Sequence, residues 1–331
     1  MTRVAIVGAG FIGTVHASCL HQIPSVDIAY VFDIDLKKAK AVAKSVDAKV
    51  ADNLDVILRD KSIDCIIHAL PTSHRFDFLK EYVKAEKNIF CEKPLARTLE
   101  EGEEILKLLK NYKKQVMIGH VLRFFWEYKT VRDLILNGEI GTPGIVRMSR
   151  CCGFPGTASS WYNDFFQSGG VALDLIIHDF DWLIWTFGRI DRISAKGMAP
   201  KKISCSDYVL AIAHLKDNVI AHIEGSWVEP PKTFWTAFEI SGSGGLIEFD
   251  SRNLKPFVFT PRDDPKKKRP GVAIPEIPLL ESPYLTQMRH FINCVEKDEK
   301  PFIRVDEAFD ALKISLAAIE SIQSGGEPIK I

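Results

Sequence analysis

The sequence predicts an α/β chain of two domains, a doubly wound parallel sheet followed by a second domain built on a large, mostly antiparallel open sheet. Three observations predict it. The first 120 residues alternate apolar and amphipathic runs; Val4-Ala5-Ile6-Val7-Gly8-Ala9-Gly10-Phe11-Ile12-Gly13 carries an apolar strand straight into a G-x-G-x-x-G turn; and beyond residue 140 strand-like stretches follow one another almost without a break. The expected division is 1–121 and 122–331, with 284–331 free to pack back on the first domain.

In order, strands are expected at Arg3–Val7, Val26–Phe32, Cys65–Ala69, Ile89–Cys91 and Val116–Gly119, with helices between them, the first over Thr14–Gln22. In the opening turn Gly8 permits the tight bend, Gly10 lets the backbone approach a pyrophosphate, and Gly13 lets the helix pack closely on the strand. The helix amino terminus, with Phe11 and Ile12 in its first turn, then faces the phosphates. Asp33 ends the second strand, where a carboxylate accepts hydrogen bonds from adenosine ribose hydroxyls and repels a 2′-phosphate, so NAD is favoured over NADP. Lys37 and Lys38 read as the solvated start of the next helix. Pro71 and Pro94 follow the third and fourth strands, at the carboxyl edge where such sheets bind ligands.

The second domain is expected to hold strands at Ile145–Arg150, Ile193–Gly197, Tyr208–Leu215, Val219–Ser226, Phe234–Ser241 and Leu246–Phe249, with a hairpin at Asp217-Asn218. One helix, Gly170–Phe187, interrupts them. A Pro-rich loop, Pro261–Pro283, and helices at Tyr284–Lys297 and Asp306–Ser324 close the chain.

At 331 residues with 46% hydrophobic residues, each domain can bury a core, and 43 basic residues balance 43 acidic ones, so no net field draws the protein to nucleic acid or an anionic membrane. Lys266–Arg269, set among prolines, reads as an exposed loop. Seven cysteines without C-x-x-C or finger spacing fit reduced thiols, and no leader or membrane span is apparent. A soluble cytoplasmic protein is expected.

Three features carry chemistry. Glu92-Lys93-Pro94 places an ammonium at the sheet's carboxyl edge, close to where a nicotinamide would lie. Asp174 and His178, four apart, share a face of the expected helix and form either a proton-transfer pair or a packing pair; with Asp181 a metal site is the remote alternative. Trp161 and Tyr162, with neighbouring aromatics, read as a wall for a sugar ring or as core. Arg123 reads either as a contact for an anionic group or as an ion pair at the domain junction. Cys91 reads as a small buried strand residue.

Glu92-Lys93-Pro94, Gly119-His120-Val121-Leu122-Arg123-Phe124, Gly138-Glu139-Ile140-Gly141 and Gly169-Gly170-x3-Asp174-x3-His178-x2-Asp181, in this order, resemble the Gfo/Idh/MocA oxidoreductase family, which includes glucose-fructose oxidoreductase and inositol dehydrogenases. The resemblance spans nearly the whole chain. It implies catalytic roles for Lys93, Asp174 and His178 beside the nicotinamide: His178 as general base, Lys93 on the reacting oxygen, Asp174 orienting the imidazole or holding a neighbouring hydroxyl. It implies an NAD-dependent dehydrogenase for a sugar, inositol or related polyol, assembled as a homodimer or homotetramer through the open sheet. The family also contains NAD-assisted glycosidases and non-catalytic sensors. Two positions depart from its pattern: Arg75 stands where many relatives have histidine, with His74 one earlier, and Glu86 replaces a helix C-cap glycine.

Overall fold

A computed structural model of the protein describes residues 1–155, 161–198, 208–253, 257–261 and 281–331. The first sheet contains β1 (Thr2–Val7), β2 (Val26–Phe32), β3 (Lys49–Val50), β4 (Cys65–His68), β5 (Asn88–Glu92) and β6 (Val116–Gly119). All its pairings are parallel and the order is β3-β2-β1-β4-β5-β6. That order reverses direction between β1 and β4, creating the crevice in which such sheets bind ligands. Five of the strands match the expectation; the two-residue edge strand β3 is additional. Val4 to Val7, Cys65 to Ile67 and Ile89 to Cys91 are fully shielded from solvent, as strands covered by helices on both faces must be.

Helices α1 (Phe11–His21), α2 (Leu36–Ser45), α3 (Leu54–Arg59), α4 (Arg75–Lys84) and α5 (Leu99–Leu109) connect these strands. Their starts follow from capping chemistry: Asp35 accepts from the amides of Lys37 and Lys38, Asn53 from Val56, and Thr98 from Glu101. The amides of Lys37 and Lys38 thus open α2, consistent with a solvated helix start. Gly10 opens α1 with no side-chain cap.

After α6 (Trp126–Leu136) comes an eight-stranded sheet of β7 (Pro143–Cys152), β8 (Ile190–Met198), β9 (Tyr208–Leu215), β10 (Ile220–Ser226), β11 (Phe234–Gly242), β12 (Gly245–Asp250), β13 (Phe257–Pro261) and β14 (Ile329–Lys330). Its order is β13-β12-β11-β7-β10-β9-β8-β14, antiparallel except where β7 meets β10. At the β9–β10 hairpin Asp217 and Asn218 take φ of 60° and 62°, the left-handed pair a two-residue turn requires. The short strands β13 and β14 were not expected, and most of the stretch expected as a Pro-rich loop, including Lys266–Arg269, lies outside the described residues.

The expected helix over Gly170–Phe187 is instead two, α8 (Gly170–Asp174) and α9 (Ile177–Phe187), preceded by α7 (Phe165–Ser168). Gly169 and Gly170, with φ of 72° and 65°, turn the chain from α7 into α8. Helices α8, α9 and α11 (Val305–Gln323) cover one face of the large sheet; α11 also packs on α5 and β6, and α10 (Pro283–Lys297) packs on α1. The closing helices therefore join the two sheets. On the uncovered face stand Ile145, Leu210, Ile212 and Ile220. Among the described residues no helix is long and apolar enough to cross a membrane.

Candidate active site

The glycine turn is built for close backbone approach. Gly8 has φ of 105°, and a Cβ there would lie 2.6 Å from the Ala69 carbonyl oxygen; one on Gly13 would collide with the Gly8 carbonyl. Gly10 faces open space, the cradle a pyrophosphate would fill. The Asp33 carboxylate folds back on this turn, accepting from the amides of Ala9 at 2.7 Å and Asp35 at 2.8 Å. Phe11 and Ile34 are exposed beside it, apolar surface suited to an adenine face. On the other wall Pro71 opens the loop after β4, and buried Arg75 ties that loop to the one after β5 by donating to the carbonyls of Leu70 and Pro94. Arg75 is thus a structural clamp, and His74 beside it is exposed. These residues fit a dinucleotide.

At the end of β5, Glu92 is buried against His16, whose Nε2 lies 2.7 Å from Oε1, and the Lys93 amide donates to Oε2 at 3.2 Å. Burial pushes the Glu92 carboxyl pKa up, but His16, Lys93 and Arg75 together hold it below its ordinary value. The Lys93–Pro94 peptide is cis. Lys93 Nζ donates to Asp174 Oδ1 at 3.0 Å and to the Asp174 carbonyl at 2.5 Å. Cys91 is buried, and burial pushes its thiol up to about 11, as expected of an inert strand residue.

Asp174 ends α8 and His178 lies in the first turn of α9, so the two do not share one continuous helix face, and the carboxylate serves Lys93. This corrects the expected Asp174–His178 pair: Asp174 orients the lysine. His178 Nδ1 is buried and has no hydrogen-bond partner among the described residues. Burial, then the charges of Lys93 and Arg150 and the neighbouring His120, hold its pKa well below the ordinary histidine value, so it is neutral and able to accept a proton.

Of the two readings of Arg123, anionic-group contact or ion pair at the domain junction, the structure shows the second. Its Nε and Nη2 donate to Asp181 at 2.8 and 2.7 Å and its Nη1 to Glu307 at 3.2 Å, leaving it a buried ion pair rather than a substrate contact. It borders a cavity of about 390 Å³ that Lys93, Asp174 and His178 do not line. Asp179 pairs likewise with buried Arg150, at 2.7 and 2.9 Å. Of the carboxylates in the remote metal alternative, Asp174 is paired with Lys93 and Asp181 with Arg123. Trp161 stacks on Tyr162 with ring centroids 4.2 Å apart, and Tyr162 meets Trp227 edge-on at 6.0 Å. Burial, and then the charges of Asp174, Glu92 and Cys152, push the Tyr162 phenol pKa up. His16 and Trp227 were not foreseen as site residues, and Arg75 was singled out only as a departure from the family pattern.

A glycine-turn cradle, an acid at the end of β2 and a lysine at the carboxyl edge of β5 define an NAD-binding oxidoreductase of Rossmann fold, and residues 2–120 match the family described as "Oxidoreductase family, NAD-binding Rossmann fold". Residues 128–248 match the GFO/IDH/MocA C-terminal domain, and the chain belongs to the Gfo/Idh/MocA oxidoreductase family. It is 24% identical to the myo-inositol 2-dehydrogenase of Thermotoga maritima, over 97% of this chain and 96% of that one. It is 25% identical to the scyllo-inositol 2-dehydrogenase (NAD(+)) of Bacillus subtilis, over 98% and 94%. The fold matches that of GenD2 from gentamicin A biosynthesis, solved in complex with NAD, with a TM-score of 0.87, 23% identity and coverage of 100% and 96%.

Proposed function

We propose that the protein is an NAD-dependent dehydrogenase that interconverts a secondary alcohol and a ketone on a sugar, inositol or related polyol. The observation that carries this reading is the convergence of the Asp174-anchored Lys93 and the neutral His178 at the carboxyl edge of the NAD-binding sheet. In the oxidation direction His178 takes the proton of the substrate hydroxyl, through Nε2 because Nδ1 is the buried nitrogen. Lys93 has three N–H donors; Asp174 holds two, and the third stabilises negative charge on the same oxygen as the proton leaves. NAD, when bound, supplies the hydride acceptor at nicotinamide C4. The Trp161–Tyr162 stack is suited to the apolar face of a sugar ring.

Asp33, at the ribose position, favours NAD over NADP. The apolar residues on the uncovered sheet face, Ile145, Leu210, Ile212 and Ile220, support a homodimer or homotetramer. The test is NADH formation from NAD with a panel of inositols, aldoses and polyols, wild type beside His178→Ala. Turnover confined to wild type supports the dehydrogenase. Aglycone release from a glycoside without net NADH would replace it with an NAD-assisted glycosidase, and NAD binding without turnover of any kind with a sensor.

A further inference from the structure

His120 follows β6 directly and is fully buried, yet among the described residues neither of its ring nitrogens has a hydrogen-bond partner. His178 Nδ1 is in the same position. Three such nitrogens in one region are unusual, because a buried imidazole left unpaired is costly and native interiors avoid it. The two rings meet edge-on, with centroids 6.3 Å apart and planes at 84°. On its other side His120 Nδ1 lies 3.9 Å from Asp181 Oδ2, and Asp181 is fixed by the two hydrogen bonds from Arg123.

We propose that His120 is a positioning residue for His178: held through Nδ1 toward Asp181, it presents Nε2 to His178 Nδ1–H and so fixes the tautomer whose Nε2 meets the substrate. This rests on the dehydrogenase reading for the role of His178. The two rings are neighbours without a hydrogen bond between them, and catalytic hydrogen bonds of this kind commonly form or shorten when substrate binds. The groups facing His178 are Lys93 from the loop after β5, Arg150 from β7 and His120; those facing His120 are Asp181, Arg123, Lys93 and Glu92. Burial keeps His120 uncharged, so it acts as an acceptor and not as another cation beside Lys93. A charged His120 would push the His178 pKa down further; uncharged, it accepts Nδ1–H, and donation toward an acceptor backed by a carboxylate raises the basicity of the catalytic ring, the arrangement that orients imidazoles in other sites.

The test compares full-length wild type, His120→Phe, which keeps a ring but cannot hydrogen-bond, and His120→Gln, which keeps a donor and an acceptor. The first readout is acylation of His178 by diethyl pyrocarbonate as a function of pH, followed by peptide mass spectrometry. The second is kcat with NAD and a polyol that wild type oxidises. The expected result is a lower acylation midpoint for His178 in His120→Phe, partial restoration in His120→Gln, and a loss of about tenfold or more in kcat with NAD affinity unchanged. An acylation midpoint equal to or above that of wild type in His120→Phe would overturn the assignment; if that variant does not fold, the same shift is read in His120→Gln. Acylation needs no substrate, so an absence of wild-type turnover would count against the dehydrogenase reading, whereas an unmoved midpoint counts against His120 alone.

Discussion

Lys93 Nζ holds Asp174 at two points, its side-chain Oδ1 and its backbone carbonyl. In an uninterrupted helix that carbonyl would accept the amide of residue 178. Here α8 ends at Asp174 and α9 starts at Ile177, so the carbonyl at the end of α8 is given to the lysine. The break and the lysine anchor are one feature. Lys93→Met should therefore lower kcat by at least about a hundredfold while NAD binding survives, as for the loss of an electrostatic stabiliser of the transition state. Lys93→Arg should not restore activity, since a planar guanidinium cannot place donors on both Asp174 atoms and a third in the cleft. Steady-state kinetics with NAD titration by fluorescence quenching checks both; a Lys93→Met enzyme of ordinary kcat would remove the lysine from the chemistry.

A pH prediction follows from His178. Its folded-state pKa is depressed, so the ring stays neutral as pH falls through the ordinary histidine value of about 6.5, and the activity plateau for oxidation should extend below that point. The stability sign is the same for buried His68, also depressed by burial first and then by Arg75 and His74. Below about pH 6.5 the unfolded chain binds protons that the folded one refuses, so stability is full above that pH and declines as pH falls toward the folded values. Thermal midpoints across this range, alongside kcat/KM profiles, test both. A midpoint that rises on acidification would contradict the buried neutral histidines.

Much of this site was legible because its chemistry has a local signature. Gly8, Gly10 and Gly13 after an apolar strand, and Asp33 at the end of the next, need only a few neighbouring residues to be recognised. The division of α8 from α9 was not legible: Leu175, Ile176 and Ile177 contain no glycine or proline, and the break coincides with a contact to Lys93, 81 positions away. Arg123 could be read two ways because its partners Asp181 and Glu307 lie 58 and 184 positions on. The parallel pairing of β7 with β10 inside an otherwise antiparallel sheet has no signal in either strand, since alternation gives a face and not a direction.

Asp33→Ala should weaken NAD binding and relax discrimination against NADP. The carboxylate takes the Ala9 and Asp35 amides, so its removal also frees the turn that would cradle the pyrophosphate. Asp33→Asn keeps an acceptor for one amide while losing the negative charge, and should admit NADP with a smaller loss of NAD affinity. Titrations with the two cofactors separate these effects; an unchanged preference in both variants would mean that the acid does not meet the ribose.

Glu86 sits just beyond the end of α4 with φ of 53°, taking the left-handed conformation that favours glycine. It is exposed, and its amide reaches the Val83 carbonyl at 3.1 Å, so the turn itself is sound. Glu86→Gly should stabilise the protein by about 1 kcal/mol, the lower end of the cost of that conformation for a residue with a Cβ, without altering kcat. Urea denaturation measures it, and a destabilised variant would show that the Glu86 side chain has a structural role.

The Arg123–Asp181 pair has the largest expected effect on stability. Both side chains are almost completely buried, and Arg123 joins the turn after β6 to α9 and, through Glu307, to α11. Removing one partner leaves the other charged and buried, so Arg123→Met and Asp181→Asn should each cost about 3–5 kcal/mol in denaturant unfolding. Combining Arg123→Met with Asp181→Leu should recover much of that loss, because most of it is the unpaired charge and not the worth of the bond. Glu307→Gln should cost far less, since its carboxylate is partly solvated and Asp181 remains to neutralise the guanidinium. If the single variants lost less than about 1 kcal/mol, the junction would have to open enough for water to replace the missing partner.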